Sequence, residues 1–280
     1  MIRLQFILIC LLFVQTAYAH DEHHKHTDKH DSAEAQSSSL HYLGNAGVMI
    51  RGNQSKILFD PFYHNHFGQY ALVPDAIRER IFANEAPYDD VDAMFVSHMH
   101  EDHFDAADTI RYLQQNSGVT VFLPEQARKS MLTMPGFEAV KDRIHGVDRV
   151  LGQEALTIKL NELTIEAIYI PHAGWPNRSF VQNIVFRVSS ADEFSVMHFG
   201  DATDELNLYE THEQFWQSRR TQIGLIPFWL ALSDDGRTII NDLINVERNI
   251  GVHVPARGYP ALEELGLEHL IVPGESKKIQ

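Results

Sequence analysis

Beyond residue 39 the chain alternates short apolar runs with stretches of helical spacing, and these two periods predict most of its elements. "VMIRG" and "KILFDP" read as strands around the turn-rich "GNQS", and "DAMFVSH" and "VTVFLP" as buried strands. "DAIRERIFA" and "DAADTIRYLQQNSG" carry apolar residues at helical spacing, the second with Gly118 as its stop. A helix over residues 126–131 follows "VTVFLP". "ALTIKL", "LTIEAIYIPH", "NIVFRVS" and "FSVMHFGD" predict further strands, the later ones an antiparallel meander. Helical segments near residues 205–217 and 238–249 separate the apolar runs "IGLIPF", "IGVHVP" and "EHLIVP". Helices flanking strands throughout imply an α/β domain of covered sheet layers. No long linker or short-period repeat divides the body, so one domain is expected over residues 40–280.

The polar residues fall at the ends of these strands. "SHMHEDHFD" follows "AMFV" and packs three histidines and three acids into nine positions. His98 and His100 lie two apart on extended chain, so both imidazoles can meet one ion while Met99 faces away. Asp102 and His103 come as the chain turns toward the next helix and are placed to reach a second ion. A closed structural zinc needs only four ligands in all. His172 ends "LTIEAIYIP", Asp201 ends "FSVMHFG" and His253 ends "IGV". Rigid scaffolds present site residues at such positions. Singly, a histidine there is more often structural, and Asp201 could equally cap the next helix. Together with the histidine run, all three read as ligands.

Apolar content of 44% and aromatic content of 10% are ordinary for a globular core. The net charge of -15 argues against nucleic acid as a partner, since phosphate binding wants clustered Lys and Arg. The first residues add an export signal. Arg3 precedes an apolar run from Leu4 to Val14, and Ala17-Tyr18-Ala19 has the form of a signal-peptidase site. The run is shorter than the roughly 20 residues a spanning helix needs. Residues 1–19 are therefore read as a cleaved signal peptide, leaving a periplasmic or secreted protein with no stable membrane anchor. Cys10 is the only cysteine, so the mature chain would hold no disulfide and no thiolate ligand. Residues 20–39 are a His-rich tail bearing His20, His23, His24, His26 and His30 among acids and lysines. With almost nothing apolar, the tail is expected to be disordered. It is either a loose metal collector or a solvated spacer.

The order of these residues resembles the metallo-β-lactamase superfamily over nearly the whole body. Asp60 in "ILFDPF" matches its first motif, "HMHEDH" the second, and His172, Asp201 and His253 the last three. The resemblance implies a four-layer αββα sandwich with a dinuclear centre at one edge of the two sheets. It would have His98, His100 and His172 hold one metal, Asp102, His103 and His253 the other, and Asp201 bridge them. Asp201 at the fourth motif speaks against true β-lactamase activity. "YLGNAGVMI", "SHMHEDHFD" and "GVHVP" look most like the branch of ascorbate-6-phosphate lactonase-like hydrolases and N-acylphosphatidylethanolamine phospholipase D. Asn45 departs from that branch, which often has histidine after the glycine.

This reading implies a hydrolase that uses a metal-bridging hydroxide on an ester, lactone or phosphodiester of a small-molecule substrate. Asp102 and Asp201 are its candidate catalytic acids. Two divalent ions are implied, zinc foremost, with Mn2+ and Fe2+ compatible with imidazole and carboxylate ligands. Asp60 is the candidate partner for a ligand histidine's second ring nitrogen. Substrate contacts are sought in His64 and His66 of "FYHNHFGQY", in Trp175 and Arg178 of "HAGWPNRS", and in Trp229 of "IPFWLALS". Surface histidines and core packing are the plain alternatives, and His198 is read as a core or supporting residue. A rival from another class is a metal-buffering protein that works through its His-rich tail with little or no hydrolysis.

Overall fold

The computed structural model describes residues 38–191 and 193–279. The segment read as a signal peptide and the His-rich stretch up to residue 37 lie outside the described residues. The tail was expected to extend through residue 39, but Ser39 already pairs with Arg51 and Lys278 as a strand residue. Among the described residues no helix is long and apolar enough to cross a membrane.

Two sheets carry the fold. The first holds β1 (Ser39–Gly44), β2 (Gly47–Arg51), β3 (Lys56–Phe59), β4 (Ala93–Phe95), β5 (Thr120–Pro124) and β6 (Ile144–Val147). The second holds β7 (Leu156–Leu160), β8 (Leu163–Tyr169), β9 (Ile184–Ser190), β10 (Phe194–His198), β11 (Thr221–Pro227) and β12 (Val246–Val252). The chain then returns as β13 (Ser276–Lys278) to the edge of the first sheet beside β1. β1, β2 and β3 pair antiparallel, and β3 to β6 run parallel. β7 to β10 form the antiparallel meander that the sequence predicts, and β11 and β12 add in parallel.

Parallel strands need crossovers, and helices supply them. α1 (Asp75–Phe82) joins β3 to β4, α2 (Ala106–Gln115) joins β4 to β5, and α3 (Glu125–Met131) and α4 (Phe137–Val140) join β5 to β6. In the second half, α5 (Leu206–Glu210) and α6 (Glu213–Gln217) precede β11, α7 (Asp234–Thr238) precedes β12, and α8 (Pro260–Glu264) follows it.

The period of two along each strand sorts the core into layers. In β3, Ile57 and Phe59 face the second sheet and pack with Phe186, Val188 and Val196, while Leu58 faces the other way. Leu58 packs with Met94, Ile81, Phe82 and Leu113, the apolar sides of α1 and α2. In the second sheet, Ile168, Val185 and Met197 turn outward to Tyr209, Trp216 and Ile239. Helix, sheet, sheet and helix are therefore stacked as four layers, the αββα sandwich expected.

Two local readings fail, the helix at residues 238–249 and the capping role offered as an alternative for Asp201. The helix expected at residues 238–249 is α7 followed by a turn of π-helix, Ile239–Leu243, and then β12. Val246, Ile250 and Val252 suit either period, and pairing with β11 decides for the strand. The helical segments expected near residues 205–217 are the two short helices α5 and α6. Asp201 caps neither, because α5 begins at Leu206 with Glu205 at its N-cap.

Candidate metal centre

The candidate ligands sit where strands stop. Residues 97–103 follow β4, His172 follows β8, Asp201 follows β10 and His253 follows β12. Backbone hydrogen bonds lock these ends together. Ala173 N–H donates to Asp201 O at 2.7 Å, Ile184 N–H to Ser97 O at 2.8 Å, and His253 N–H to Asn45 O at 3.1 Å. The Asn183 amide donates to Ile170 O and Phe199 O, and its oxygen accepts from Asp201 N–H at 3.0 Å. Gly200 turns the chain into Asp201 with φ of 55°, and a Cβ there would run into Asn183 Oδ1 and Ser97. Asp60 and His253 also hold positive φ, 41° and 60°, in a region that costs a side chain energy and that clusters at functional sites.

All seven predicted ligand residues converge. His98, His100, His172 and Asp201 offer ligand atoms within 4.8 Å of one another, and so do His103, Asp201 and His253, and His98, Asp102 and His103. Asp201 faces both groups: its Oδ2 lies 3.4 Å from His172 Nε2 and 3.9 Å from His98 Nε2. Its Oδ1 lies 3.1 Å from His103 Nε2 and 3.4 Å from His253 Nε2. Asp102 Oδ2 is 3.1 Å from His253 Nε2 and 3.7 Å from His103 Nε2.

The donor set fits divalent cations. His103 Nε2, His172 Nε2 and Asp201 Oδ1 are buried without a hydrogen-bond partner despite these short separations. Atoms aimed at a common point rather than at each other are what a ligand shell requires. The imidazole tautomers agree. The Ser97 hydroxyl donates to Asp60 Oδ2 at 2.6 Å, so its lone pairs face His98 Nδ1 at 3.0 Å. His103 Nδ1–H donates to Asp60 Oδ2 at 2.8 Å, and His172 Nδ1–H to Ala173 O at 2.7 Å. Each arrangement leaves Nε2 with a lone pair toward the cluster.

Electrostatics point the same way. Burial, reinforced by neighbouring imidazoles, pushes His98 well below the usual histidine range and His100 down to about 4. Both are neutral, as ligation needs. Burial alone would raise the Asp201 carboxyl, but His253 and His103 hold it well below the usual carboxylate range. Asp102 is lowered likewise, burial being outweighed by the hydrogen bond from His253 and the charge of His103. Burial would lower His103, yet Asp201 and Asp60 raise it well above its ordinary value, so without a cation His103 itself carries the positive charge, and a bound cation would displace the proton at Nε2. The seat between these carboxylates favours positive charge.

Above the cluster opens a cavity of about 500 Å3 with His100, Asp102, Asp201 and His253 at its base. Its walls are Phe67, Gln69, Tyr70, Arg178 and Phe180. Tyr70 packs edge-on against His253 at 4.1 Å, and burial beside Asp201 and Asp102 pushes its hydroxyl up to about 12.

Of the five residues expected to touch substrate, only Arg178 lines this cavity. His64 instead meets Asp108 at 3.0 Å, beside the Arg78–Asp108 ion pair. His66 is exposed, and its carbonyl accepts from Gln69 and Tyr70 N–H. Trp175 N–H closes a turn onto His172 O at 3.2 Å. The Trp229 indole donates to Ala202 O at 2.9 Å, and its ring lies edge-on to His253 at 5.3 Å. Trp229 thus packs against the candidate ligand His253 without lining the cavity. The quoted segment "FYHNHFGQY" does reach the cavity, through Phe67, Gln69 and Tyr70 rather than its histidines. Asn45, singled out in the sequence only as a departure from the branch pattern, donates its amide N–H to Asp102 O at 2.9 Å. Sequence reasoning missed the supporting roles of Ser97 and Asn183, whose contacts with Asp60 and Asp201 span 37 and 18 positions.

An αββα sandwich with histidines and aspartates gathered at its strand ends is the metallo-β-lactamase fold. The family model of the beta-lactamase superfamily domain matches residues 39–228, and the chain belongs to that superfamily. Among solved structures, the isothiocyanate hydrolase from Delia radicum gut bacteria superposes with a TM-score of 0.56 at 16% identity, over 85% of this chain and 98% of that one. Igni18, a metallo hydrolase from the archaeon Ignicoccus hospitalis, superposes with a TM-score of 0.55 at 17% identity, over 86% and 98%. Both likenesses speak for the fold. A protein of Mycolicibacterium smegmatis named as a Rieske 2Fe-2S iron–sulfur protein is 33% identical over 87 residues, 30% of this chain and 15% of that relative's length.

Proposed function

We propose that this chain is an exported dinuclear metal-dependent hydrolase acting on an ester, lactone or phosphodiester. The observation that carries the reading is Asp201, one carboxylate whose two oxygens face two separate histidine groups. His98, His100, His172 and Asp201 would hold one cation, and Asp102, His103, His253 and Asp201 the other. Zinc suits the set best, and manganese or iron is compatible with it. Bound there, divalent ions would polarise a substrate oxygen and lower the pKa of coordinated water from 15.7 to roughly 7. The chain's own part is to hold and orient. Asp60 and Ser97 fix His103 and His98, Asn45 steadies Asp102, and Asn183 and Gly200 aim Asp201. Tyr70, kept as a neutral phenol, can donate a hydrogen bond to a substrate oxygen in the cavity.

The leader "MIRLQFILICLLFVQTAYA" supports export, and the spelling of "YLGNAGVMI" and "GVHVP" supports the lactonase-like and phospholipase D-like branch. A panel of esters, lactones and phosphodiesters, assayed on metal-loaded full chain, tests the activity. Asp201→Ala is expected to cut turnover by at least about a hundredfold, above the 10–100-fold typical of residues that only support ligands. Wild-type protein loaded at both seats that turns over nothing in the panel would favour the metal-buffering reading.

A further inference from the structure

The cavity is not uniformly polar. Its base carries the carboxylates Asp102 and Asp201, and Arg178 is the one cationic side chain among its described walls. Arg178 pairs with no acid among the described residues; Arg80, Arg111, Arg143, Arg149 and Arg257 pair with none either, but only Arg178 of these lines the cavity.

Its placement is built by the turn that hangs from a ligand. Arg178 N–H donates to Gly174 O at 3.1 Å, two residues beyond His172. Gly174 has φ of 88°, and a Cβ there would lie 3.2 Å from Arg178 Cδ. The glycine therefore both makes the turn and clears the path along which the arginine stem lies. An arginine steered to the rim of a site and left unpaired is suited to an incoming anion, which its planar fork can hold through two hydrogen bonds.

The rim also carries apolar surface that the fold does not use. Phe180 is 71% exposed and Phe67 58%, while Phe59, Phe95, Phe122, Phe186 and Phe199 are all buried in the core. Both exposed rings line this one cavity. Its volume of about 500 Å3 falls within the range of small-molecule sites, larger than the reacting group alone requires.

We propose that the cavity selects amphiphilic anions, with Arg178 meeting an anionic oxygen of the substrate and Phe67 and Phe180 packing against its apolar arm. The inference rests on the proposed function and names the substrate class of the same site. The anionic oxygen belongs either to the reacting phosphodiester or to a carboxylate beside a reacting ester.

The test is equilibrium binding by calorimetry on metal-loaded full chain, so it does not depend on turnover. The probes are hexylphosphonate, methylphosphonate, hexanoate and hexan-1-ol. Wild type is expected to bind hexylphosphonate at least about tenfold more tightly than methylphosphonate, and hexan-1-ol not measurably. Arg178→Gln is expected to weaken hexylphosphonate and methylphosphonate alike by about tenfold, with Arg178→Lys in between. Phe67→Ser with Phe180→Ser is expected to weaken hexylphosphonate alone. Hexanoate tighter than hexylphosphonate would assign the anion to a carboxylate, and the reverse to the phosphodiester. These variants lie at exposed positions, so folding is not at stake, and a melting curve for each confirms it. Equal binding of both phosphonates by wild type, or phosphonate binding indifferent to Arg178, overturns the proposal and leaves the proposed function standing. Cation uptake is read separately in crystals by anomalous scattering. A centre that takes up none overturns the proposed function and this inference with it.

Discussion

Asp60 shows how much of the centre rests on residues that touch no substrate. Its carboxylate is almost wholly buried and accepts three hydrogen bonds: from Ser97 N–H at 2.7 Å, from the Ser97 hydroxyl at 2.6 Å, and from His103 Nδ1–H at 2.8 Å. It thereby orders two histidines, one in each group, since the same hydroxyl faces His98. Asp60→Asn removes the charge while nearly preserving the shape. Cation affinity is expected to fall by about 10–100-fold, the usual effect of losing a ligand's supporting carboxylate. Chelator competition on full-length wild type and variant measures it, because the His-rich tail contributes equally to both. The motif in "ILFDPF" made Asp60 legible in the sequence. Asn45 was legible only as a departure from a pattern, because its contact with Asp102 spans 57 positions. His64 misled for the opposite reason: a histidine near the site in sequence is drawn off by Asp108 on α2.

At the scale of elements, strand ends do the positioning. The period of two made β2 to β5 and β7 to β10 readable, and with them the stops at which His98, His172 and Asp201 stand. It resolved only the end of β12, the short strand "IGV" before His253, because residues 246–249 fit a helix until β11 pairs with them, and it did not resolve β6 and β13, which are short edge strands. The turn after β10 is where sequence and site constrain each other most tightly. Gly200→Ala must place a methyl group against Asn183 and Ser97 at a φ of 55°. The variant is expected to lose about 2 kcal/mol of stability from backbone strain, with a melting point lower by several degrees. Because Asn183 and Ser97 both orient the centre, cation affinity should fall with it. A variant as stable as wild type would show that the turn can relax without disturbing Asp201.

The whole molecule gathers carboxylates and histidines that a folded chain without counter-charge would disfavour. Asp60, Asp102 and Asp201 are all buried together, and the imidazoles of His98, His103, His172 and His253 are nearly free of solvent. Cations that bind the folded chain and not the unfolded one must stabilise it, by about 2.7 kcal/mol at a concentration 100 times Kd. Chelation is therefore expected to lower the melting temperature by several degrees, and zinc to restore it. Asp201→Ala should be insensitive to both treatments. Composition and charge could not reveal this coupling, because it depends on side chains from four strand ends meeting at one point. The most direct test is anomalous diffraction from a zinc-loaded crystal of the full chain. Two peaks on either side of Asp201, one against His98, His100 and His172 and the other against Asp102, His103 and His253, are the expected result. A single peak, or none within reach of Asp201, would contradict the account.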